Sequence, residues 1–204
     1  MADEVAERLA AVYASGTADA LERWAATGRP GILLLRELLD GSWDPPAAPG
    51  GHPRDLVDMT STLVAEIAAA QPDAFLEIFE SDRFRANGLV LTGLGRIDDP
   101  RATRRLARVA GSADRWVRMD VAIGLGRRAS SVATATLVRL IGDEDDLVRY
   151  HALQSLARIG EPAALAALRQ FASPNRRETE LAAGAIRSIE RRGSAATRPD
   201  GPAT

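Results

Sequence analysis

One arrangement of residues recurs along this 204-residue chain at an interval of about 31 residues. The segment WVRMDVAIGLGRR (116–128) aligns with LVRYHALQSLARI (147–159), so that each begins with an apolar residue followed by Val-Arg. Weaker copies occupy residues 63–79, 89–97 and 185–193. Self-similarity at a fixed interval of this length is the signature of a repeat architecture, in which each unit packs against its neighbours.

Within each unit the apolar residues have the spacing of helices. Two stripes show it: Val148, Ala152, Leu156 and Ile159 on one, and Leu165, Leu168 and Phe171 on the other. Gly, Pro, Asp and Ser separate the stripes, so each unit is predicted to be two short antiparallel helices. Because one such pair cannot bury its apolar face alone, the units are expected to stack into an α-solenoid.

The segment LVRLIGDEDDLVRYHALQSLARIG resembles the HEAT repeat, in which a leucine-rich helix is followed by an acidic turn and a Val-Arg helix. LARVAGSADRWVRMDVAIGLG is a second copy. The resemblance implies an all-α fold, a right-handed α-solenoid of about five HEAT-like helical hairpins with an irregular N-terminal helical cap. It also implies which helices face the concave groove, namely those at 84–97, 116–128, 147–159 and 177–191.

In HEAT repeats the acid of the turn and the arginine of the Val-Arg helix pair between successive units. The resemblance therefore implies ion pairs for Arg118 and Arg149, with Asp114, Asp145 or Asp146 as their partners. An acid near a helix start also interacts favourably with the free N–H groups and the helix dipole.

The predicted domain organisation is a single solenoid domain over residues 1–192. Its N-terminal cap covers 1–54 and includes a long Pro/Gly loop at 41–54, the repeats cover 55–192, and the tail 193–204 has the composition of a disordered segment. Before the first clear repeat, helices are predicted at 3–14, 17–27, 30–39 and 55–70.

Composition excludes several kinds of chemistry. The chain has no cysteine and all 26 basic residues are arginine, so thiol catalysis, disulfides and a lysine Schiff base are ruled out. The two histidines, His52 and His151, have no second ligand at metal-site spacing, so no metal and no cofactor are expected. No apolar run reaches the roughly 18 residues of a membrane span, and the start has no signal-peptide pattern, so we expect a cytoplasmic protein without membrane contact.

The repeat alignment places four arginines in one column: Arg96, Arg127, Arg158 and Arg191. Each is expected in the last turn of a Val-Arg helix, so regular stacking would align them along one edge of the groove. Guanidinium groups bind carboxylates and phosphates in bidentate fashion. Arginine near a helix C-terminus also complements the dipole by about 0.3–1 kcal/mol, and the sequence leaves both roles open.

The predicted groove floor is mixed in character, with Asp120, His151 and Gln154 at positions that should face it. Trp116 and Tyr150 are expected near its lip. Aromatic residues together with arginine are the usual energetic centres of protein interfaces, although Trp116 could instead pack between units. A mixed floor is typical of a protein-binding surface.

The sequence thus favours a non-enzymatic adaptor or scaffold that binds a protein partner, an acidic one among the options, in its concave groove. One alternative is a nucleic-acid-binding protein, because residues 83–204 hold 21 arginines and 13 acids whereas 1–82 hold 5 and 15. The overall pI of about 5.8 argues against it. A second alternative is a HEAT-like lyase or DNA glycosylase-type enzyme that uses Asp120 or His151.

Overall fold

The computed structural model describes residues 28–40, 42 and 53–196. The helices predicted at 3–14 and 17–27 lie outside the described residues, as does nearly all of the loop at 41–54. Within the described part of the chain there is no strand, which confirms the all-α prediction there. The ten α-helices of this part are α1 (Arg29–Asp40), α2 (Pro53–Ala70), α3 (Pro72–Ile78), α4 (Gly88–Leu94), α5 (Pro100–Arg108), α6 (Arg115–Leu125), α7 (Ser131–Leu140), α8 (Asp146–Ile159), α9 (Leu165–Gln170) and α10 (Arg176–Ala196).

The chain divides between Arg105 and Leu106 into two compact units. The expectation of a single domain over residues 1–192 stays a prediction. The start of the predicted tail is wrong, because α10 continues to Ala196. Gly193 and the small residues after it do not interrupt the helix, because an interior glycine costs only about 1 kcal/mol relative to alanine and α10 contains no proline.

In the first unit, α1 packs on α3, and α2 packs on both α3 and α4. Three phenylalanines form the centre of this core: Phe75 and Phe79 have ring centroids 4.7 Å apart, and Phe84 meets Phe79 edge-on at 5.2 Å. Gly93 of α4 lies directly against Phe75, and a Cβ at this position would collide with the ring. Close approach of the packed side chains therefore explains this glycine.

In the second unit, α6, α8 and α10 stack side by side and run parallel. Near their starts, Arg115 of α6 pairs with Asp145 at 3.2 Å. Further along, the Ser155 hydroxyl of α8 donates to the Ala122 carbonyl of α6 at 2.8 Å. Helices α8 and α10 also contact each other start to start and end to end. Near their starts Arg149 of α8 pairs with Glu178 of α10 at 2.9 Å, and near their ends the Arg158 carbonyl of α8 accepts from Arg192 of α10 at 2.9 Å.

Two Val-Arg arginines make the same set of contacts in successive repeats. Arg118 Nη1 donates to the carbonyl oxygens of residues 112 and 113, and Arg149 Nη1 donates to those of residues 143 and 144. The remaining guanidinium nitrogens bind carboxylates further along the chain, Asp143 at 2.8 Å and Glu144 at 3.2 Å for Arg118, and Glu178 at 2.9 Å for Arg149. We call this arrangement the arginine clamp, since it joins the turn before one helix to the next repeat.

The predicted acids of these ion pairs are therefore wrong. Asp114 and Asp145 instead cap their own helices, by accepting from the N–H of Trp116 at 2.8 Å and of Leu147 at 3.0 Å. Asp146 lies exposed in the first turn of α8. A carboxylate at the N-cap position is captured by the free N–H groups two or three residues ahead, so the acids outside that position form the clamps.

Replacement of Arg118 by methionine is expected to lower the free energy of unfolding by about 3 kcal/mol or more. The Arg118 side chain is only 8% exposed, and its removal leaves the largely buried Asp143 carboxylate without its cationic partner and two turn carbonyls without the guanidinium donor. Urea unfolding followed by circular dichroism measures the change. Arg139→Met on the exposed face of α7 is the matched control, with an expected change within about 0.5 kcal/mol. Equal effects of the two substitutions would contradict the clamp.

Candidate protein-binding surface

Three of the four column arginines share an edge of the second unit. Arg127 follows α6, Arg158 lies in the last turn of α8 and Arg191 lies towards the end of α10. Since these helices run parallel, their C-terminal ends lie along one side. Arg96 belongs to the first unit, where it pairs with Glu66 of α2 at 3.3 Å. The four-membered line stays a prediction, while the second unit brings two of its members, Arg158 and Arg191, to one depression.

Only Arg158 occupies the expected last helical turn. Helices α4 and α6 end before Arg96 and Arg127, at Leu94 and Leu125, because Gly95 and Gly126 begin the following turns. Arg191 instead lies before the last turn of its helix, since α10 continues for five residues beyond it. Interaction with a helix end therefore accounts for Arg158 but not for Arg191.

An open depression of about 500 Å³ lies between the C-terminal halves of α8 and α10, lined by Ala157, Arg158, Ser188, Arg191 and Arg192. Arg192 is held in place, because it donates to the Arg158 carbonyl at 2.9 Å and to the Ala157 carbonyl. It also donates to the Ser188 hydroxyl at 3.1 Å. Gly160 ends α8 with a left-handed φ of 72°, and the absence of a side chain there makes room for the Arg192 guanidinium.

The N-terminal edge of the same helices carries an exposed aromatic residue. Trp116 is 49% exposed, which favours a surface role over packing between units. The Arg115 guanidinium stacks on its ring at 4.6 Å and is itself held by Asp145 at 3.2 Å. A second open depression, of about 600 Å³, lies beside Trp116 and is lined by three acids, Asp114, Glu144 and Asp145, and by two arginines, Arg115 and Arg118.

The predicted residues of α8 form one cluster with a neighbour from α10. The Gln154 amide donates to the Tyr150 hydroxyl at 2.9 Å, and the His151 ring meets the Tyr150 ring edge-on at 5.3 Å. Arg177 stacks on Tyr150 at 4.6 Å and donates to its hydroxyl at 3.1 Å. Leu147, 39% exposed, lies one turn before His151 and takes the position in its repeat that Trp116 has in the preceding one.

Sequence reasoning missed Arg115, Leu147 and Arg177 as members of this surface. Leu147 could have been found, because it aligns with Trp116 in the repeat. The stacking of Arg115 on its neighbour Trp116 depends on Asp145, which holds the guanidinium from the next repeat. Arg177 reaches Tyr150 only because α8 and α10 lie parallel and adjacent.

Asp120 and His151 occupy equivalent, half-buried positions on α6 and α8. Burial raises the pKa of Asp120 to about 6, and the charge of Asp114 adds to this effect. Burial also lowers the pKa of His151, and the positive charge of Arg158 acts in the same direction. The lowered pKa favours neutral His151, whereas Asp120 becomes charged as the pH rises above about 6.

A cluster of three or more His, Asp or Glu side chains that could hold a metal ion does not occur among the residues described. None of the described helices combines the length and the apolar character that crossing a membrane requires.

The helix pairs and the repeated clamp define a helical-repeat protein. A family model described as HEAT repeats matches the chain over residues 72–146 and again over 121–190. These matches span more than half of the chain, which therefore belongs to the HEAT-repeat family, and the predicted class of all-α solenoid is confirmed. The comparison with curated proteins gives no match.

Replacement of Asp120 by asparagine is expected to stabilise the fold at pH 7.5 by about 1–2 kcal/mol, allowing for the solvent that still reaches this half-buried carboxyl. The folded pKa of about 6 lies above the reference value of 3.8, so the wild type loses stability as the pH rises from about 4 to 6. The advantage of Asp120→Asn should therefore disappear near pH 4. Urea unfolding between pH 4 and 8 measures it.

Glu80→Gln, which removes an exposed carboxylate, is the control and should change stability by less than about 0.5 kcal/mol throughout. A gain for Asp120→Asn that persists at pH 4, or no gain at pH 7.5, would contradict the raised pKa.

Proposed function

We propose that this protein is a non-enzymatic cytoplasmic scaffold, which binds a segment of another protein across α6, α8 and α10 of the second unit. HEAT repeats are generally protein-interaction scaffolds, and the chain belongs to that family. The observation that carries the proposal is the exposed Trp116, whose ring is held by Arg115 and Asp145. The cytoplasmic placement rests on the sequence expectation.

The aromatic residues of this surface are fixed before any partner arrives. Trp116 is stacked by Arg115, while the Tyr150 hydroxyl accepts from both Gln154 and Arg177. Binding loses less conformational entropy when contact side chains are already ordered. Trp, Tyr and Arg are also the residue types that contribute most to binding energy at protein interfaces.

Exposed apolar side chains extend the surface from one repeat to the next. Trp116 and Leu147 are 49% and 39% exposed, and they stand at equivalent positions of the adjacent helices α6 and α8. Tyr150 follows Leu147 by three residues, which places it on the same face of α8. Adjacent exposed apolar residues within a polar rim are typical of a site that another protein covers.

The two alternative functions find less support in the same residues. Neither of the two depressions described above is lined by Asp120 or His151, the residues that an enzyme mechanism was expected to use. A nucleic acid lying across the helices would bring its phosphates to the depression beside Trp116, where three acids and two arginines leave no excess of positive charge. Protein binding accommodates both the acidic and the basic edge.

Replacement of Trp116 by alanine is expected to weaken the binding of the partner by about 30-fold, because a buried tryptophan anchor contributes about 2 kcal/mol or more. The tagged protein is used to capture partners from an extract of its host. Captured proteins are identified by mass spectrometry, purified and titrated by calorimetry against both forms.

Val132→Ala is the matched control, since Val132 is 39% exposed on α7, outside the three surface helices. It should change the affinity less than about twofold. Partners that bind the wild type and Trp116→Ala equally would refute the proposal.

A further inference from the structure

We propose that the depression between α8 and α10 binds the carboxylates of an acidic segment of the partner protein, through Arg158 and Arg191. This inference rests on the proposed function, because it assigns a second contact of the same partner. The partner contributes Asp and Glu side chains to this contact, which lies at the C-terminal edge of the surface helices.

The first support is that, among the described residues, Arg158 and Arg191 form no ion pair, whereas other arginines of this unit do. Among the described residues, neither Arg158 nor Arg191 takes part in a salt bridge, and Glu161, just beyond α8, pairs with neither. Glu190, which directly precedes Arg191 in the chain, is engaged by Arg169 at 2.7 Å. Five other arginines of the unit do form salt bridges: Arg115, Arg118, Arg149, Arg169 and Arg176.

The second support is the local accumulation of positive charge. Arg158, Arg191 and Arg192 line one open depression, although like charges at short range repel. Arg192 has a structural task, since it binds the last carbonyls of α8. Arg191 has no helix end to complement, because α10 continues to Ala196. Features that local rules do not explain are concentrated at functional sites, and here a bound anion would offset the repulsion.

The chemistry of the lining suits carboxylates. A guanidinium presents parallel N–H donors that match the two oxygens of one carboxylate. Ser188 accepts a hydrogen bond from Arg192, and its hydroxyl hydrogen is a further donor beside the two arginines. A depression of about 500 Å³ holds a few side chains of a peptide.

Charge across the surface favours an acidic peptide over a nucleic acid. The depression at the opposite edge is lined by three acids and two arginines, so it offers no excess of positive charge to the phosphates of a longer polyanion. A peptide can instead concentrate its acids at one end and place apolar residues at the other. The two edges thus fix the direction in which the segment lies.

The distance between the apolar contact at Tyr150 and the carboxylate contact at Arg158 sets the spacing of the partner's residues. Tyr150 and Arg158 are eight residues apart on α8, which corresponds to roughly 12 Å along the helix. An extended peptide covers that distance in about four residues. We therefore expect a partner segment in which an apolar residue precedes the acids by about four positions.

The test uses a fluorescein-labelled synthetic peptide with a leucine four positions before a run of glutamates, and the same peptide with glutamine in their place. Anisotropy titrations at low salt compare the wild type with Arg158→Gln/Arg191→Gln. The expected result is binding of the glutamate peptide that is weaker by about tenfold or more in the double variant. Binding of the glutamine peptide should be weaker than that of the glutamate peptide and the same in both proteins.

Arg108→Gln/Arg139→Gln is the matched control, because it removes two exposed arginines of α5 and α7 and changes the net charge equally. It should alter the affinity less than about twofold. All replaced side chains are exposed, and circular dichroism spectra matching the wild type verify that each variant is folded. Equal weakening by both double variants would overturn the inference, as would the absence of binding at low salt.

A twelve-nucleotide RNA provides the remaining comparison. If the RNA binds more tightly than the glutamate peptide and competes with it, the carboxylate assignment is wrong. Failure of the proposed function looks different, since the peptide would then bind through Arg158 and Arg191 while no captured protein depends on Trp116. Conversely, a partner that needs Trp116 but is indifferent to Arg158→Gln/Arg191→Gln would reject the inference and keep the scaffold.

Discussion

The arginine clamp is the interaction on which the second unit depends. Arg118 and Arg149 each hold two carbonyls of the turn before their own helix and also bind carboxylates further along the chain. Because each guanidinium satisfies both groups at once, the start of one helix is fixed relative to the next repeat. Buried ion pairs add little net stability over apolar packing, but losing one partner is strongly destabilising, so the clamp enforces one alignment.

The parallel alignment has a direct consequence for the surface. Helix starts lie together at one edge and helix ends at the other, so residues about 31 positions apart become neighbours. Acids that cap or precede the helices gather beside Trp116, whereas arginines near the helix ends gather around the depression of Arg158 and Arg191. The charge difference between the two edges is therefore produced by the repeat itself.

The repeat interval and the apolar spacing were sufficient to predict paired helices in the repeats, and the resemblance to the HEAT repeat indicated that Arg118 and Arg149 form ion pairs. The choice of acid was not predictable, because four consecutive acids, residues 143–146, offer several carboxylates within reach of one guanidinium. In the structure Asp145 caps α8 by accepting from the Leu147 N–H, while Asp143 accepts from the Asp145 N–H and binds Arg118. The length of α10 was underestimated because Gly193 and its small neighbours suggested an end that the helix passes. At the surface the sequence indicated Tyr150 as a candidate, but the stacking of Arg177 on its ring could not be predicted, because it needs the packed helices.

Repetition also supplies an internal comparison for each arginine. The clamp arginines donate hydrogen bonds to turn carbonyls and form ion pairs with carboxylates. Arg192 donates to the last carbonyls of α8. Arg158 and Arg191 lie within the same stack, yet among the described residues they have no carboxylate partner. The same helices therefore contain arginines whose partners are internal and arginines whose charge is directed at the depression. Arginines that only complement the helix dipole would lie in the last turn of each helix. Arg191, however, precedes the end of α10 by five residues. Its position instead follows the repeat alignment with Arg158, which is the dependence expected of a surface built to present arginines side by side.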